Sequence, residues 1–360
     1  MNQISSVARA PREFASTAEI PAGELVQSAV QQLLAGRNID CDQAYAVFAE
    51  IVEGRMAEPL MAAAFVALRM KGETAEELTG AALSLRAAAR PFPKPDYLFA
   101  DSCGTGGDGS GSINVSTAAG LVAASCGLPI VKHGNRSFTS KCGSADVLEA
   151  LGARLDAPPA LSRQLLDEIG FCFLLAPLYH PGIAHAGAVR RSLKVRTVMN
   201  LLGPCLNPAR PRVQLLGVAE STMLVPVAQT LVALGVDRGL VVHGSGLDEI
   251  APHAETHAVR IANGRLEPIT LTPEQAGLDR HPVSEIAGGS PIENARRLVS
   301  LLDGRGGDAD VAVVALNAGG VLLTAGRVAN FREGVDKALD AIGSGQAKRL
   351  LDRFIEATNG

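Results

Sequence analysis

Between residues 23 and 90 apolar positions recur at helical spacing. Leu25, Ala29, Leu33 and Leu34 share one face, and Tyr45, Phe48, Ile51 and Val52 share another. Thr74 with Glu77 three residues later predicts a capping box that opens a helix carrying Leu78, Ala82 and Leu85. The run Arg90-Pro91-Phe92-Pro93-Lys94-Pro95 stops this pattern and predicts a boundary. Beyond it the period changes. Short apolar or β-branched runs at residues 97–100, 127–131, 213–218, 239–243 and 310–316 read as strands, and helical patterns alternate with them. The expectation is an α/β fold, with a small helical layer followed by a mainly parallel sheet flanked by helices. Residues 181–201 are again helical, and basic.

Composition narrows the class. With 360 residues, 47% hydrophobic positions and no Trp, the chain reads as globular and soluble, one large domain with room for a smaller one. A net charge of −4 argues against a nucleic-acid surface as the main partner. The six cysteines form no Cys-x-x-Cys pair and are expected as reduced thiols in the cytoplasm. No apolar run reaches membrane-spanning length and no hydrophobic signal core opens the chain, so no membrane partner is expected. Residues 1–22 read as an N-terminal extension.

The densest chemistry follows residues 97–100. From Gly104 to Gly111 five glycines fall in eight positions, and Ser112, Ile113, Asn114, Val115, Ser116 and Thr117 lead into a helical pattern. The order is strand, glycine loop, helix N-terminus. Bare N–H groups beside the positive end of a helix dipole suit a phosphate-like anion. Ser116 and Thr117 are expected to cap that helix and to offer hydroxyls to an anion or a metal. A Walker loop is excluded, since no Lys occurs between Lys94 and Lys132. Gly104, Gly106 and Gly109 match the spacing of a dinucleotide fingerprint. Some twenty residues on, however, Ser125, Cys126 and Gly127 stand where an acidic residue would hold a ribose.

A second polar loop follows the run Pro129-Ile130-Val131. It carries Lys132, His133, Gly134, Asn135, Arg136, Ser137, Thr139, Ser140, Lys141 and Ser144. Cations, an amide and hydroxyls at the carboxyl end of a parallel strand suit a second anion pocket. Asp248 and Glu249 follow the strand pattern 240–243 and the loop Gly244-Ser245-Gly246. Adjacent carboxylates at a strand end suit a hard cation bridged to an anionic ligand, although an Asp-Glu pair alone is more often a solvated turn. His253 and His257 have ligand-like spacing but no third partner, and are expected at the surface. Cys103 reads as a packed small residue; no nucleophile–base constellation accompanies it.

Gly104-Thr105-Gly106-Gly107-Asp108-Gly109, then Asn114-Val115-Ser116-Thr117, then Lys132-His133-Gly134-Asn135-Arg136 resemble the phosphoribosyl-diphosphate motifs of the anthranilate phosphoribosyltransferases. The likeness continues in order through His180-Pro181, Val189-Arg190-Arg191, Arg196-Thr197, Asn200 to Pro204, Asn207-Pro208, Gly246 to Glu249 and Leu316 to Gly319. It covers roughly residues 23–357.

The resemblance implies the following. A small helical domain spans 23–95, with helices from about 181–202 packing onto it, and a large α/β domain spans 96–360. Gly104, Gly107, Asp108, Ser112, Asn114, Val115, Ser116, Thr117, Lys132, His133, Gly134, Asn135, Arg136, Thr139, Ser140 and Ser144 bind phosphoribosyl diphosphate. Gly104, Asn135 and Arg190 bind anthranilate, with Gly203 and Pro204 beside the ring. Ser116, Asp248 and Glu249 reach Mg²⁺. No side chain acts as a catalytic base, and the protein is a homodimer through its amino-terminal helices. Ser112 replaces the family's usual Thr, Cys142 its usual Ser, Leu175 a frequent Phe and Ile183 a frequent Met or Tyr. These departures leave another aromatic amine open as acceptor. A pyrimidine nucleoside phosphorylase, whose second loop typically carries Gly at the Asn135 position, and a non-catalytic nucleic-acid-binding relative are the rival readings.

Overall fold

The structure, a computed structural model, describes residues 22–137 and 141–360. The extension at 1–21 and the site candidates Thr139 and Ser140 lie outside the described residues.

Four helices open the described chain: α1 (Ala22–Leu34), α2 (Cys41–Val52), α3 (Glu58–Lys71) and α4 (Ala75–Ala87). Two begin on capping boxes. Thr74 and Glu77 exchange side-chain and backbone bonds at α4, as the sequence pattern predicts, and Asp40 and Gln43 do the same at α2, where no cap was read from the sequence. Glu77 is buried and does more than cap. Its carboxylate also accepts from Ile39 N at 3.1 Å and from Lys71 Nζ at 2.9 Å. The buried stripe of α1 is Val26, Ala29, Val30 and Leu33, whereas Leu34 faces outward at 62% exposure.

The rest of the chain alternates as expected, with ranges that differ in places. In order come β1 (Ala100–Gly104), α5 (Val115–Ser125), β2 (Ile130–Gly134), α6 (Ser144–Ala150), α7 (Pro159–Ile169) and β3 (Phe171–Leu175). Then follow α8 (Ala176–Tyr179), α9 (Gly187–Leu193), α10 (Val198–Leu202), β4 (Val213–Gly217), α11 (Leu224–Ala233) and β5 (Arg238–His243). The chain closes with β6 (Thr256–Ala262), β7 (Arg265–Leu271), α12 (Pro291–Leu302), α13 (Asp308–Thr324), α14 (Phe331–Gly343) and α15 (Gln346–Asn359).

One seven-stranded sheet results, ordered β3-β2-β1-β4-β5-β6-β7. The first five strands are parallel, and β6 and β7 add an antiparallel hairpin at the edge. The strand expected at 310–316 is instead the middle of α13. A short, wholly apolar run has no period to separate a buried strand from a buried helix, and α13 is buried nearly all round. The first strand also starts later than the apolar segment 97–100, because its pairing with β4 runs from Ala100 to Gly104. Asp101 and Ser102 are therefore buried inside the sheet.

Two apolar cores form. One lies between the sheet and helices α5, α12, α13, α14 and α15. The other joins the four amino-terminal helices to the far face of β4 and β5 and takes in Val189, Val198, Met199 and Leu202 from the later helices. The 3₁₀ turn Pro181–Ala186 packs on α2, α9 on α3, and α10 on α3 and α4. The helical layer is thus assembled from two separate stretches of chain.

Candidate active site

In the strand order the chain turns one way from β1 to β2 and the other way from β4 to β5. Open α/β sheets bind ligands at such a switch point, outside the carboxyl ends of the strands. A cleft of 370 Å³ opens there, between the sheet edge and the 181–206 segment. It is lined by Gly104, Gly107, Asp108, Ser112, Asn114, Val115, Ser116, Thr117, Lys132, His133, Gly134, Asn135, Arg136, Ser144, Arg190, Asp248 and Glu249. Every described site candidate from the sequence reaches this one cleft.

The glycine loop follows β1. Its far limb is pinned by Ile113 N on Ile286 O at 2.9 Å and Gly288 N on Gly111 O at 2.7 Å. Two strand-end glycines make room for the acidic loop that crosses them. A Cβ on Gly104 would lie 2.2 Å from Asp248 Oδ2, and one on Gly217 would lie 1.6 Å from Asp248 O. Asp248 thereby reaches the loop backbone, where its Oδ2 accepts from Gly106 N at 2.6 Å. Glu249 Oε1 accepts from Ser116 N at 3.1 Å, at the opening turn of α5.

That contact corrects one expectation. Ser116 and Thr117 do not cap α5: its N-cap is Asn114, with no side-chain cap bond. The carboxylate at this helix end arrives from another loop, favourably placed against the helix dipole. Asn114 is used elsewhere. Its amide donates to Cys142 O at 3.2 Å, and its carbonyl oxygen accepts from Asn294 Nδ2 at 3.0 Å, clamping the first loop to the second. The Val115 N–H is already given to Ile113 O.

Lys132 is buried, and its ammonium donates to Ser102 O at 2.8 Å and Ser116 Oγ at 3.1 Å. Beneath it Asp101 is fully buried and held by Asn207 Nδ2 at 2.9 Å. Burial raises its carboxyl to about 6, against the lowering pull of Lys132. Asp248 and Glu249 are raised further by burial and by the neighbouring carboxylates, Asp108 facing Asp248 and Asp248 facing Glu249. Glu249 Oε2 is buried with no hydrogen-bond partner. Two buried, mutually repelling carboxylates with an oxygen left over fit a hard divalent cation such as Mg²⁺. Among the described residues no three His, Cys, Asp or Glu side chains gather as a complete metal cage, so the remaining coordination would fall to ligand and solvent oxygens.

The second loop is more exposed. Asn135 Oδ1 accepts from Arg136 N, Ser144 Oγ donates to Asn135 O, and the Arg136 guanidinium pairs with Glu149. Beside it the cleft is lined by apolar and aromatic groups. His133 and His180 rings meet edge to face at 5.2 Å, and His180 Nε2 lies 2.9 Å from Leu206 O. Burial holds both imidazoles neutral, with His180 lowered to about 4 and His133 well below its ordinary value. Ile183, Pro204 and the half-buried Arg190 complete this side, while Leu175 is buried in β3 and does not line the cleft. Burial alone lowers the Arg190 guanidinium, which stays charged.

The chain matches the model for the glycosyl transferase family, a/b domain, over residues 96–348, and the model for its helical bundle domain over residues 27–89. An anthranilate phosphoribosyltransferase of Sorangium cellulosum is 50% identical over 331 residues, covering 92% of this chain and 95% of that protein. The chain belongs to the anthranilate phosphoribosyltransferase family. A relative from Aeromonas hydrophila with the same name is 47% identical over 89% of this chain and 94% of its own length. Among solved structures, the enzyme of Thermus thermophilus superposes with a TM-score of 0.87 at 41% identity, over 92% of this chain and 99% of that one. The Saccharomyces cerevisiae enzyme in complex with PRPP and Mg gives 0.85 at 28% identity, over 93% and 98%.

Some functional neighbours carry no signal of their own in the sequence. Asn294 reaches the cleft from α12, more than a hundred residues beyond the loops it clamps. Asn317 brackets Ile250, accepting from its N–H at 2.9 Å and donating to its carbonyl at 3.0 Å, and so holds the Asp248–Glu249 loop. Asn317 and Asn207 stand inside the recurring motifs, but only the fold assigns them these contacts. Of the two histidines expected at the surface, His257 is exposed on β6, whereas His253 is half-buried with its Nε2 3.3 Å from Ser245 O.

Proposed function

We propose that this chain transfers the 5-phosphoribosyl group of phosphoribosyl diphosphate to the amine of anthranilate, releasing diphosphate, in tryptophan biosynthesis. The observation that carries the reading is the cleft itself. It joins a bare-backbone loop, a helix N-terminus and a buried carboxylate pair on one side to an apolar wall bearing one arginine on the other. The first half suits a magnesium-bound diphosphate and the second a flat aromatic carboxylate. The S. cerevisiae relative is known with PRPP and Mg, and also with 4-fluoroanthranilate, which supports both halves.

In this reading the N–H groups of the glycine loop, the positive end of the α5 dipole, Lys132 and Ser116 receive the phosphates. Arg136 and Ser144, with Thr139 and Ser140 by motif match, serve the second loop. Asp248, Glu249 and Ser116 hold Mg²⁺, which when bound neutralises charge on the departing diphosphate. Asn135 orients the anthranilate amine, and the planar fork of Arg190 pairs with its carboxylate. The amine nitrogen forms its bond to the anomeric carbon with inversion while the carbon–oxygen bond to diphosphate breaks, and the amine proton passes to solvent. The nucleophile is already neutral, so positioning and charge neutralisation suffice without a strong base. The chain works in the cytoplasm as a homodimer. The deciding experiment is product analysis with magnesium, phosphoribosyl diphosphate and a panel of aminobenzoates, with thymidine and phosphate as a parallel arm. N-(5-phosphoribosyl)anthranilate is the expected product; phosphorolysis of thymidine instead would overturn the assignment.

A further inference from the structure

Arg196 does not line the cleft, yet its guanidinium is turned onto the backbone of the glycine loop. Nη2 donates to Gly106 O at 3.1 Å and Nη1 to Gly107 O at 3.2 Å. Both glycines have positive φ, 70° and 74°, a backbone that side-chain-bearing residues rarely adopt. The approach is close: a Cβ on Gly107 would sit 3.0 Å from Arg196 Nε. Among the described residues all peptide bonds are trans. In a trans peptide the carbonyl and the following N–H point opposite ways. Holding Gly106 O and Gly107 O on one side therefore aims the N–H groups of Gly107 and Asp108 to the other, where the loop borders the cleft. Two consecutive N–H groups facing one concavity form an anion nest.

Arg196 is itself held. Its Nη1 lies 3.7 Å from Glu220 Oε1. Arg69 of α3 grips both Glu220 oxygens, at 2.7 and 3.0 Å. A line of charge thus runs from the helical layer, across the carboxyl end of β4, to the loop. The three side chains are 25–41% exposed, so the ion pairs themselves add little stability. Their consequence is orientational.

We propose that Arg196 is a positioning residue that presets the glycine loop for the diphosphate group, with Glu220 and Arg69 fixing its fork from the helical layer. The proposal rests on the reading of the cleft as a phosphoribosyl-diphosphate site. Calorimetry with inorganic diphosphate and magnesium, paired with steady-state kinetics, tests it on the wild type, Arg196→Ala, Arg196→Lys, Glu220→Ala and the Arg196→Ala/Glu220→Ala double variant. Arg196→Ala is expected to weaken diphosphate at least about tenfold and to raise KM for phosphoribosyl diphosphate in step. The KM for anthranilate should stay within about twofold. Arg196→Lys should recover little, since an ammonium cannot span two carbonyls as a planar fork does. Glu220→Ala keeps Arg196 and should act in the same direction by a smaller factor, adding nothing to Arg196→Ala in the double variant. Equal diphosphate affinity in wild type and Arg196→Ala would overturn the proposal. So would full recovery by lysine, or an equal rise in both KM values. If Arg196→Ala does not fold, Arg196→Lys and Glu220→Ala binding diphosphate like the wild type would overturn it as well. A wild type that itself fails to bind diphosphate with magnesium would instead remove the reading of the cleft beneath it.

Discussion

Arg190 and His180 stand on the same wall of the cleft and answer to different measurements. Arg190→Ala should weaken anthranilate by about 1.5–3 kcal/mol, the range for losing a hydrogen bond to a charged group, and leave phosphoribosyl diphosphate nearly unaffected. Aniline, without a carboxylate, is the control: a poor acceptor already, it should be indifferent to the change. Equal losses for both amines would mean that Arg190 shapes the wall without touching the carboxylate. His180 bears on stability. Burial lowers its imidazole from 6.5 to about 4. The unfolded chain therefore binds the proton more tightly, and the contribution of the neutral ring is full above pH 6.5 and lost as pH falls toward 4. That window is worth on the order of 3 kcal/mol. A melting-temperature series from pH 7 to 4 should fall less steeply for His180→Gln than for the wild type. Superimposable curves would place the acid sensitivity elsewhere. At this scale the motif residues were legible because glycine, lysine and paired carboxylates advertise themselves. Asp101 under Lys132 and Asn294 behind Asn114 were not, since their partners are set by strand pairing and helix packing far along the chain.

Elements decide where the acidic loop can lie. β1 and β4 end on Gly104 and Gly217, partners in register, and the backbone of Asp248 passes over both. Gly217→Ala should leave the sheet formed but lift this loop by the width of a methyl group. The expected signature is a raised magnesium requirement, with a loss of stability of about 1–3 kcal/mol from overpacking. An unchanged magnesium titration would show that the loop has slack. Sequence patterning read the elements unevenly. Capping boxes at α4 and the proline stop after it were visible as chemistry. The hairpin of β6 and β7 turns on Asn263-Gly264, both at positive φ, and that Asn-Gly pair was the available signal. Helix α13 was misread because a core element buried on all sides shows no polar phase.

For the molecule as a whole, surface left uncovered is the informative quantity. Leu34 on α1 and Met70 on α3 are 62% and 83% exposed, on neighbouring helices of the small layer. The homodimer reading places a second copy over them. Light scattering should give twice the chain mass at micromolar concentration, and Leu34→Asp with Met70→Asp should give a monomer; a monomeric wild type would end this reading. Fold class was legible from the change of period near residue 96, and the family from the order of its motifs. The return of the helices from about 181–202 into the helical layer was implied only by the resemblance. Periodicity records that a segment is helical, not which neighbours bury it.

That return has a consequence for synthesis. The four amino-terminal helices emerge from the ribosome with Phe48, Phe65 and Leu85 already made, but Val189, Val198 and Leu202 of the same core follow roughly a hundred residues later, and Leu216, Leu231 and Val241 later still. At about 5–20 residues per second, the nascent layer waits on the order of ten seconds with an open apolar face. During that interval the growing chain is a natural client for holding factors. A ribosome stalled near residue 180 should display that face to a hydrophobic dye, and the released full-length chain should not.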